Sequence, residues 1–284
     1  MSDDRTDDPA TTVTLTLLTY LAPSLPSALF EGLAAHLGAH VGTDVELRFD
    51  ASRSGPRRGE PEPFSSGEVD AAWLCATSYV WLTEDADPPI RLVGGAWVPT
   101  DARAGGEAIY FGDVLAPAGR VRSLAELAGR PVAYNDDVSL SGYHSLRLAL
   151  HEAGVATDTV GFVRSGSHLR SLELLTEGAV DAATIDSNVW RRRAREQPDL
   201  RSRLTSVATL GPHPVQPFVA RSTLDLEVAS RLCSALLAAH EDPEVAERLE
   251  HAGFARFVPV EDDHYGPLRL QMGTQGLLAG AGRR

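Results

Sequence analysis

Ser139, Ser141 and Gly142 stand where an apolar strand, Pro131 to Tyr134, runs through a polar turn into an apolar-periodic helix expected over 142–153. The first amides of a helix have no intrahelical partner, and the helix dipole makes that end positive. Hydroxyls beside such amides suit a small oxyanion, which would sit on Ser139, Leu140, Ser141, Gly142 and Tyr143. Either serine would serve equally well as a simple N-cap. Both readings stay open on this segment alone.

The rest of the chain narrows the chemistry. All 26 cationic side chains are arginine, so no lysine exists to form a Schiff base or to complete a P-loop. The formal net charge of −13 sets the chain against nucleic acid and against insertion into anionic membrane. Cys75 and Cys233 are too far apart in sequence for a CxxC motif and match no zinc spacing. No cofactor and no metal is assigned. The acidic start, Met-Ser-Asp-Asp-Arg-Thr-Asp-Asp-Pro, is unlike a secretory leader, so the chain as written reads as cytoplasmic; a start further upstream would make it extracytoplasmic.

Residues 1–11 read as a disordered acidic leader. Thr12 to Thr19 and Val45 to Phe49 read as strands around a helix at 27–40. The Pro/Gly/Arg/Ser-rich segment 50–67 reads as a mobile loop at a cleft mouth. Val69 to Cys75 is a buried strand and Ala76 to Leu82 a short helix. Ile90 to Val98 and Ala108 to Ala116 form either a hairpin or strands crossing between lobes. From Ser123, helices (123–128, 142–153, 167–177, 187–195) alternate with strands (131–134, 159–163, 180–185), the pattern of a parallel α/β sheet. After strands at 204–209 and 216–220, the chain reads as largely helical to about Leu278 before a frayed tail.

Gly67-Glu-Val-Asp-Ala-Ala and Gly178-Ala-Val-Asp-Ala-Ala repeat one pattern 111 positions apart. In each, Asp opens a strand whose far end delivers a loop, Cys75 to Tyr79 in one and Asp186 to Asn188 in the other. Ligands of open α/β sheets bind beyond the strands' carboxyl ends. Two such lobes facing each other would enclose a cleft.

At this point the chain resembles the phosphate/phosphite/phosphonate-binding components of ABC importers, from about residue 12 to residue 270. The matching residues are Val69-Asp-Ala-Ala-Trp-Leu with Ser78-Tyr79, Tyr110, Ser123-Leu-Ala-Glu-Leu-Ala-Gly-Arg-Pro-Val-Ala and Asn135-Asp-Asp-Val-Ser-Leu-Ser-Gly-Tyr143. Gly166-Ser-His168 and Val180-Asp-Ala-Ala-Thr-Ile-Asp-Ser187 complete the set. The resemblance implies a two-lobed α/β, type II periplasmic-binding fold, each lobe a mixed, mostly parallel sheet flanked by helices, with the ligand cleft between the lobes. Lobe 1 would be 12–98 plus 213–284 and lobe 2 108–208, joined by crossovers at 99–107 and 209–212. It also implies a small phosphonate- or phosphate-like anion between the lobes, and an ABC permease as partner if the protein is exported. Ser139, Ser141 and Gly142 would hold the oxyanion with His168, and Tyr110 would reach the ligand from the crossover strand. Asp186, Ser187 and Asn188 would read the rest of the ligand, and Thr77, Ser78 and Tyr79 would touch it from lobe 1. The chain departs from the family pattern at Leu140, where a threonine is usual. It departs again around Arg53 to Arg58, where an aromatic usually faces the ligand.

Each of these residues also has a plain structural reading. His168 is an imidazolium for the anion or a helix cap. Asp186 binds an amine or hydroxyl, or caps the helix at 187–195. Tyr110 and Tyr79 are cleft aromatics or core. Cys75 is a reactive thiol or a small buried hydrophobe. His36 and His40, at i,i+4, have no third metal ligand in view, and Arg191-Arg-Arg193 reads as a solvated face. No catalytic triad or carboxylate pair stands out. The reading is therefore a substrate-binding protein. The alternatives are a cytoplasmic enzyme on the same fold, such as a dehydratase, or a non-catalytic sensor or carrier.

Overall fold

Pro26 and the residues after it set the first helix, and each later element follows from equally local signals. A computed structural model describes residues 14–22 and 24–274; the expected leader and frayed tail lie outside them. In chain order the elements are β1 (Leu15–Thr19), α1 (Ser27–Val41), β2 (Val45–Phe49), β3 (Ala71–Trp73), α2 (Ala76–Leu82), β4 (Ile90–Leu92) and β5 (Gly95–Pro99). Next come β6 (Ile109–Pro117), β7 (Pro131–Tyr134), α3 (Ser145–Glu152), β8 (Gly161–Arg164), α4 (His168–Thr176), β9 (Ala182–Asp186), α5 (Ser187–Glu196) and α6 (Pro198–Arg203). The last are β10 (Leu204–Pro214), β11 (Phe218–Arg221), α7 (Leu226–Ala238), α8 (Pro243–Ala252), β12 (Phe254–Pro259) and α9 (Gly266–Thr274).

These elements form two lobes, each on its own sheet. One sheet has the order β2-β1-β3-β11-β4 and the other β10-β6-β9-β7-β8. Both are mixed. β1 runs parallel to β2 and β3, but β11 is antiparallel to its neighbours β3 and β4. In the second sheet β7 is parallel to β8 and β9, while β6 is antiparallel to both β9 and β10. The antiparallel strands β6 and β11 are the ones that follow the crossings between lobes, and they make the expected mixed, mostly parallel sheets.

Several expectations need correction. Ile90 to Val98 and Ala108 to Ala116 are not a hairpin: β4 joins the first sheet, and β5 pairs with β12 as a separate ribbon. β12 interrupts the expected helical C-terminal region: a register shift between Phe254 and Arg256 brings Phe254 and Phe257 to one face, where both pack on Trp97. The segment expected as helix 123–128 is a single 3₁₀ turn, Leu124–Leu127. β10 carries on through 209–212, which had been expected as a crossover, and pairs with β6 as far as Pro214.

The repeat at Gly67 and Gly178 has a structural explanation. Both glycines adopt left-handed φ, 74° and 76°, and both following valines are buried. Asp70 then accepts the Thr16 amide at 2.8 Å and the Arg221 guanidinium at 2.8 Å, while Asp181 pairs with Arg120 and Arg130. Each aspartate anchors the amino end of its strand and so fixes where the opposite end, β3 at Trp73 and β9 at Asp186, delivers its loop. Among the described residues no helix is long and apolar enough to cross a membrane.

Candidate functional site

The carboxyl ends of β1, β3, β7 and β9 converge on one small cavity of about 40 Å³ between the two sheets. Lobe 1 supplies Tyr20, Leu21, Ser24, Leu25, Ser54 and Cys75 to its lining. Asn135, Ser139, Ser141, His168, Asp186 and Val189 face them, with Tyr110 from β6 and Gln216 from the second crossover. A water needs roughly 10–15 Å³, so there is room for about three waters.

The turn after β7 carries the densest hydrogen bonding. The helix begins not at Gly142 but as a π-turn, Leu140–His144, that tightens into α3. Ser139 caps this turn, its Oγ accepting the Gly142 amide at 3.1 Å. Capping and ligand binding are compatible here, because a hydroxyl that accepts one bond still has a proton to donate. The Leu140 amide is taken by Cys75 Sγ across the interlobe gap at 3.3 Å. Gly142 has no space for a side chain: a Cβ there would lie 1.9 Å from Asn135 Oδ1 and 3.0 Å from both His168 Cε1 and Ser139 Oγ. Gly112 likewise lets β6 approach the Ser141 carbonyl, which a Cβ would meet at 2.7 Å.

Two acceptors line the cavity alongside these hydroxyls. Asp186 Oδ1 accepts the Asn188 amide at 2.8 Å, the N-cap of α5, and Oδ2 accepts Gln216 Nε2 at 3.0 Å. Burial raises its pKa to about 6. Asn135 directs its Nδ2 to Asp136 Oδ2 (2.9 Å) and Ser54 Oγ (3.3 Å), leaving Oδ1 buried without a partner among the described residues. Tyr110 is buried against Ser141, and burial holds its phenol well above the usual range. Among the described residues no arginine lines the cavity.

His168 does not cap α4; Ser167 does, by accepting the Arg170 amide at 3.1 Å. Nor is His168 an imidazolium. Its Nδ1 accepts the Asp186 amide at 3.4 Å, and burial lowers its pKa to about 4. The ring is neutral, and it also bonds the Thr184 carbonyl on β9.

Of the expected site residues, Ser139, Ser141, Tyr110, His168 and Asp186 meet at this cavity. Leu140, Gly142, Tyr143 and Asn188 do not line it. Tyr143 stacks on Tyr134 outside, under the Arg147 guanidinium. Thr77, Ser78 and Tyr79 are buried in lobe 1: Ser78 bonds the Pro56 carbonyl, and Tyr79 bonds Asp262 and packs on Tyr265. Tyr20, Ser24, Ser54, Asn135 and Gln216 were missed. Tyr20 follows β1 directly, so the rule that placed Cys75 and Asp186 would have found it, and it supplies an aromatic in lobe 1.

The segment around Arg53 to Arg58 is a bridge between lobes rather than a free loop. Ser54 donates to Asp136 at 2.5 Å, Arg57 pairs with Asp137, and Arg164 reaches the Ser52 carbonyl at 3.2 Å. Arg192, expected on a solvated face, is buried and donates to the Ser24 carbonyl at 2.9 Å. These contacts hold the lobes closed. His36 and His40 bond Asp242, the Ala235 carbonyl and the His36 carbonyl, and no metal-ligand cluster occurs among the described residues.

Burial lowers the pKa of His144, His168 and His213 to about 4 each. The unfolded chain binds protons at these positions below about pH 6.5, and the native state does not until about pH 4. Stability is therefore expected to fall with pH through that window. Asp186 acts in the opposite sense, since its raised pKa lets the native state take up a proton first. The net difference is about two protons, on the order of 3 kcal/mol per pH unit near pH 5. Thermal unfolding followed at intervals from pH 7 to 4.5 checks this; a flat profile would show that these histidines are hydrated.

Comparisons with known proteins agree with this architecture. No curated protein sequence matches the chain significantly. Among solved structures, it is similar to a binding-protein component of an ABC phosphonate transporter from Pseudomonas aeruginosa (TM-score 0.74, 18% identity, 91% of this chain and 85% of that one). PhnD1 from Prochlorococcus marinus, solved with methylphosphonate, superposes with a TM-score of 0.76 at 16% identity, over 91% of this chain and 97% of that one. The periplasmic aliphatic sulphonate binding protein SsuA from Escherichia coli gives 0.57 at 15% identity, over 91% and 84%. Residues 15–265 match the family model described as ABC transporter, phosphonate, periplasmic substrate-binding protein, and the chain belongs to that family.

Proposed function

We propose that the cavity binds a small tetrahedral oxyanion carrying its own proton, a phosphonate or phosphate monoanion, for presentation to an ABC permease. The observation that carries this reading is the mixture of groups on the cavity wall. Ser139, Ser141 and Tyr110 offer hydroxyl donors for P–O⁻ oxygens, while Asp186 and the unpartnered Asn135 Oδ1 are acceptors that ask for a P–OH. A fully ionised ligand would meet the Asp186 carboxylate with no arginine to offset it, at a cost of several kcal/mol in a dry site. The cavity's size favours a head group with at most a methyl substituent in the closed form. On this reading lobe 2 is built on the β10-β6-β9-β7-β8 sheet, and the lobes hinge at 99–107 and 215–217.

Calorimetric titration with phosphate, phosphite, methylphosphonate and 2-aminoethylphosphonate tests the proposal. Methylphosphonate is expected to bind at micromolar concentration or tighter, and the aminoethyl compound more weakly. Ser141→Ala removes a hydroxyl bonded to a charged oxygen and is expected to weaken binding about 10- to 100-fold. Failure of all four compounds to bind would overturn the reading.

A further inference from the structure

Gln216 lies in the second crossover, between the end of β10 in one lobe and the start of β11 in the other. Its side chain is buried, and its two amide ends face different partners. Oε1 accepts Trp97 Nε1–H at 3.3 Å, and Nε2 donates to Asp186 Oδ2 at 3.0 Å. Amide oxygen and nitrogen are hard to tell apart by shape, but here chemistry decides. An indole N–H can only donate, so the oxygen must face Trp97 and the NH₂ must face Asp186. Trp97 is fully buried in lobe 1, stacked on Phe254 at 4.7 Å between ring centroids, and it does not line the cavity.

We propose that Trp97 and Gln216 are positioning residues that fix Asp186 as a hydrogen-bond acceptor toward the ligand. One Asp186 oxygen is held by the Asn188 amide and the other by Gln216, so N–H donors surround the carboxyl and its free lone pairs are left for the cavity. Were the amide free to turn, its carbonyl would face Asp186 half of the time, and the acid would protonate and become a donor. The relay would thereby set which oxyanions are accepted. A phosphonate monoanion offers a P–OH to the fixed acceptor; a sulfonate of the same shape has no proton to offer and leaves it opposed by lone pairs. The other titratable groups facing Asp186 are His168 on α4 and Tyr110 and Asp113 on β6, and Asp113 is itself paired with Arg103 at 2.7 Å.

The selectivity part of this inference rests on the oxyanion reading above; the orientation part does not. The test therefore has two readouts, on wild type, Trp97→Phe and Gln216→Met. Carbon-13 NMR titration of the Asp186 carboxyl in ligand-free protein reports the orientation. Both variants are expected to titrate at higher pH than wild type, Gln216→Met by roughly one unit and Trp97→Phe by less, as a carboxylate loses a donor. Calorimetry with methylphosphonate and methanesulfonate reports selectivity. The preference for methylphosphonate is expected to fall about tenfold or more in Gln216→Met and at least threefold in Trp97→Phe, the latter without any change to the cavity wall. An unchanged Asp186 titration in both variants overturns the proposal. If wild type binds neither compound, the oxyanion reading fails and the carboxyl titration alone decides the relay. Should Trp97→Phe unfold, Gln216→Met still decides it by the same titration.

Discussion

Gly142→Ala is expected to weaken ligand binding at least about a hundredfold while the protein remains folded. A Cβ at this position would fall 1.9 Å from Asn135 Oδ1, well inside van der Waals contact. The clash has two exits, and both damage the site. If Asn135 turns away, its Nδ2 abandons Asp136 and Ser54, which are its anchors at the lobe interface. If the π-turn moves instead, Ser139 and Ser141 move with it, and their hydroxyls leave the cavity. Backbone strain is not the cause, since Gly142 is absent from the positive-φ glycines. The effect is one of packing, and overpacking of a tight site costs about 1–3 kcal/mol. In a chain of this length that corresponds to a fall in Tm of roughly 2–12 °C. Calorimetry with methylphosphonate, beside a thermal melt and far-ultraviolet circular dichroism, separates lost binding from lost fold. Affinity within about threefold of wild type would mean that the turn is not the ligand's seat.

The same turn shows how far the sequence could be read. Strand, polar turn and amphipathic helix were legible from local pattern, and the rule that ligands sit beyond strand carboxyl ends placed Cys75, Ser139 and Asp186 at one cavity. What local pattern could not supply was partnership across the chain. Ser54 reaches Asp136 across 82 positions and Gln216 reaches Asp186 across 30, and neither segment carries a motif. Segment 50–67 looked mobile because it is rich in Pro, Gly and Arg. It is fixed by contacts to the other lobe that only the tertiary fold creates. The strand-end rule and the family resemblance both overreached at Thr77, Ser78 and Tyr79. They follow a strand's carboxyl end, but here they bond the Pro56 carbonyl, Cys75 and Asp262 within lobe 1. His168 shows the reverse limit: its position was legible, but its charge was not, because burial decides it.

Charge also governs the second large effect, expected for Asp186→Asn. Asparagine is as good an N-cap as aspartate, so α5 should keep its first turn through the Asn188 amide. The substituted amide then directs its oxygen to Asn188, and its NH₂, opposed donor to donor by the Gln216 NH₂, turns toward the cavity. The wall loses a negative charge and gains a donor at the point where the wild type asks for a proton. Ligands that lack that proton should profit. The ratio of methylphosphonate to methanesulfonate affinity is expected to fall roughly a hundredfold, about 3 kcal/mol, mostly through tighter sulfonate binding. The pH profile carries the same information independently. On the proposed reading the wild-type complex holds one proton shared between Asp186 and the ligand, so affinity should fall about tenfold per pH unit once both are ionised in solution. Asp186→Asn removes one partner of that proton, admits the dianion and flattens the fall. Calorimetry with both compounds from pH 6 to 9 measures ratio and slope together. An unchanged ratio would show that Asp186 serves only the helix cap; a changed ratio with an unchanged slope would show that it acts by charge alone and shares no proton with the ligand.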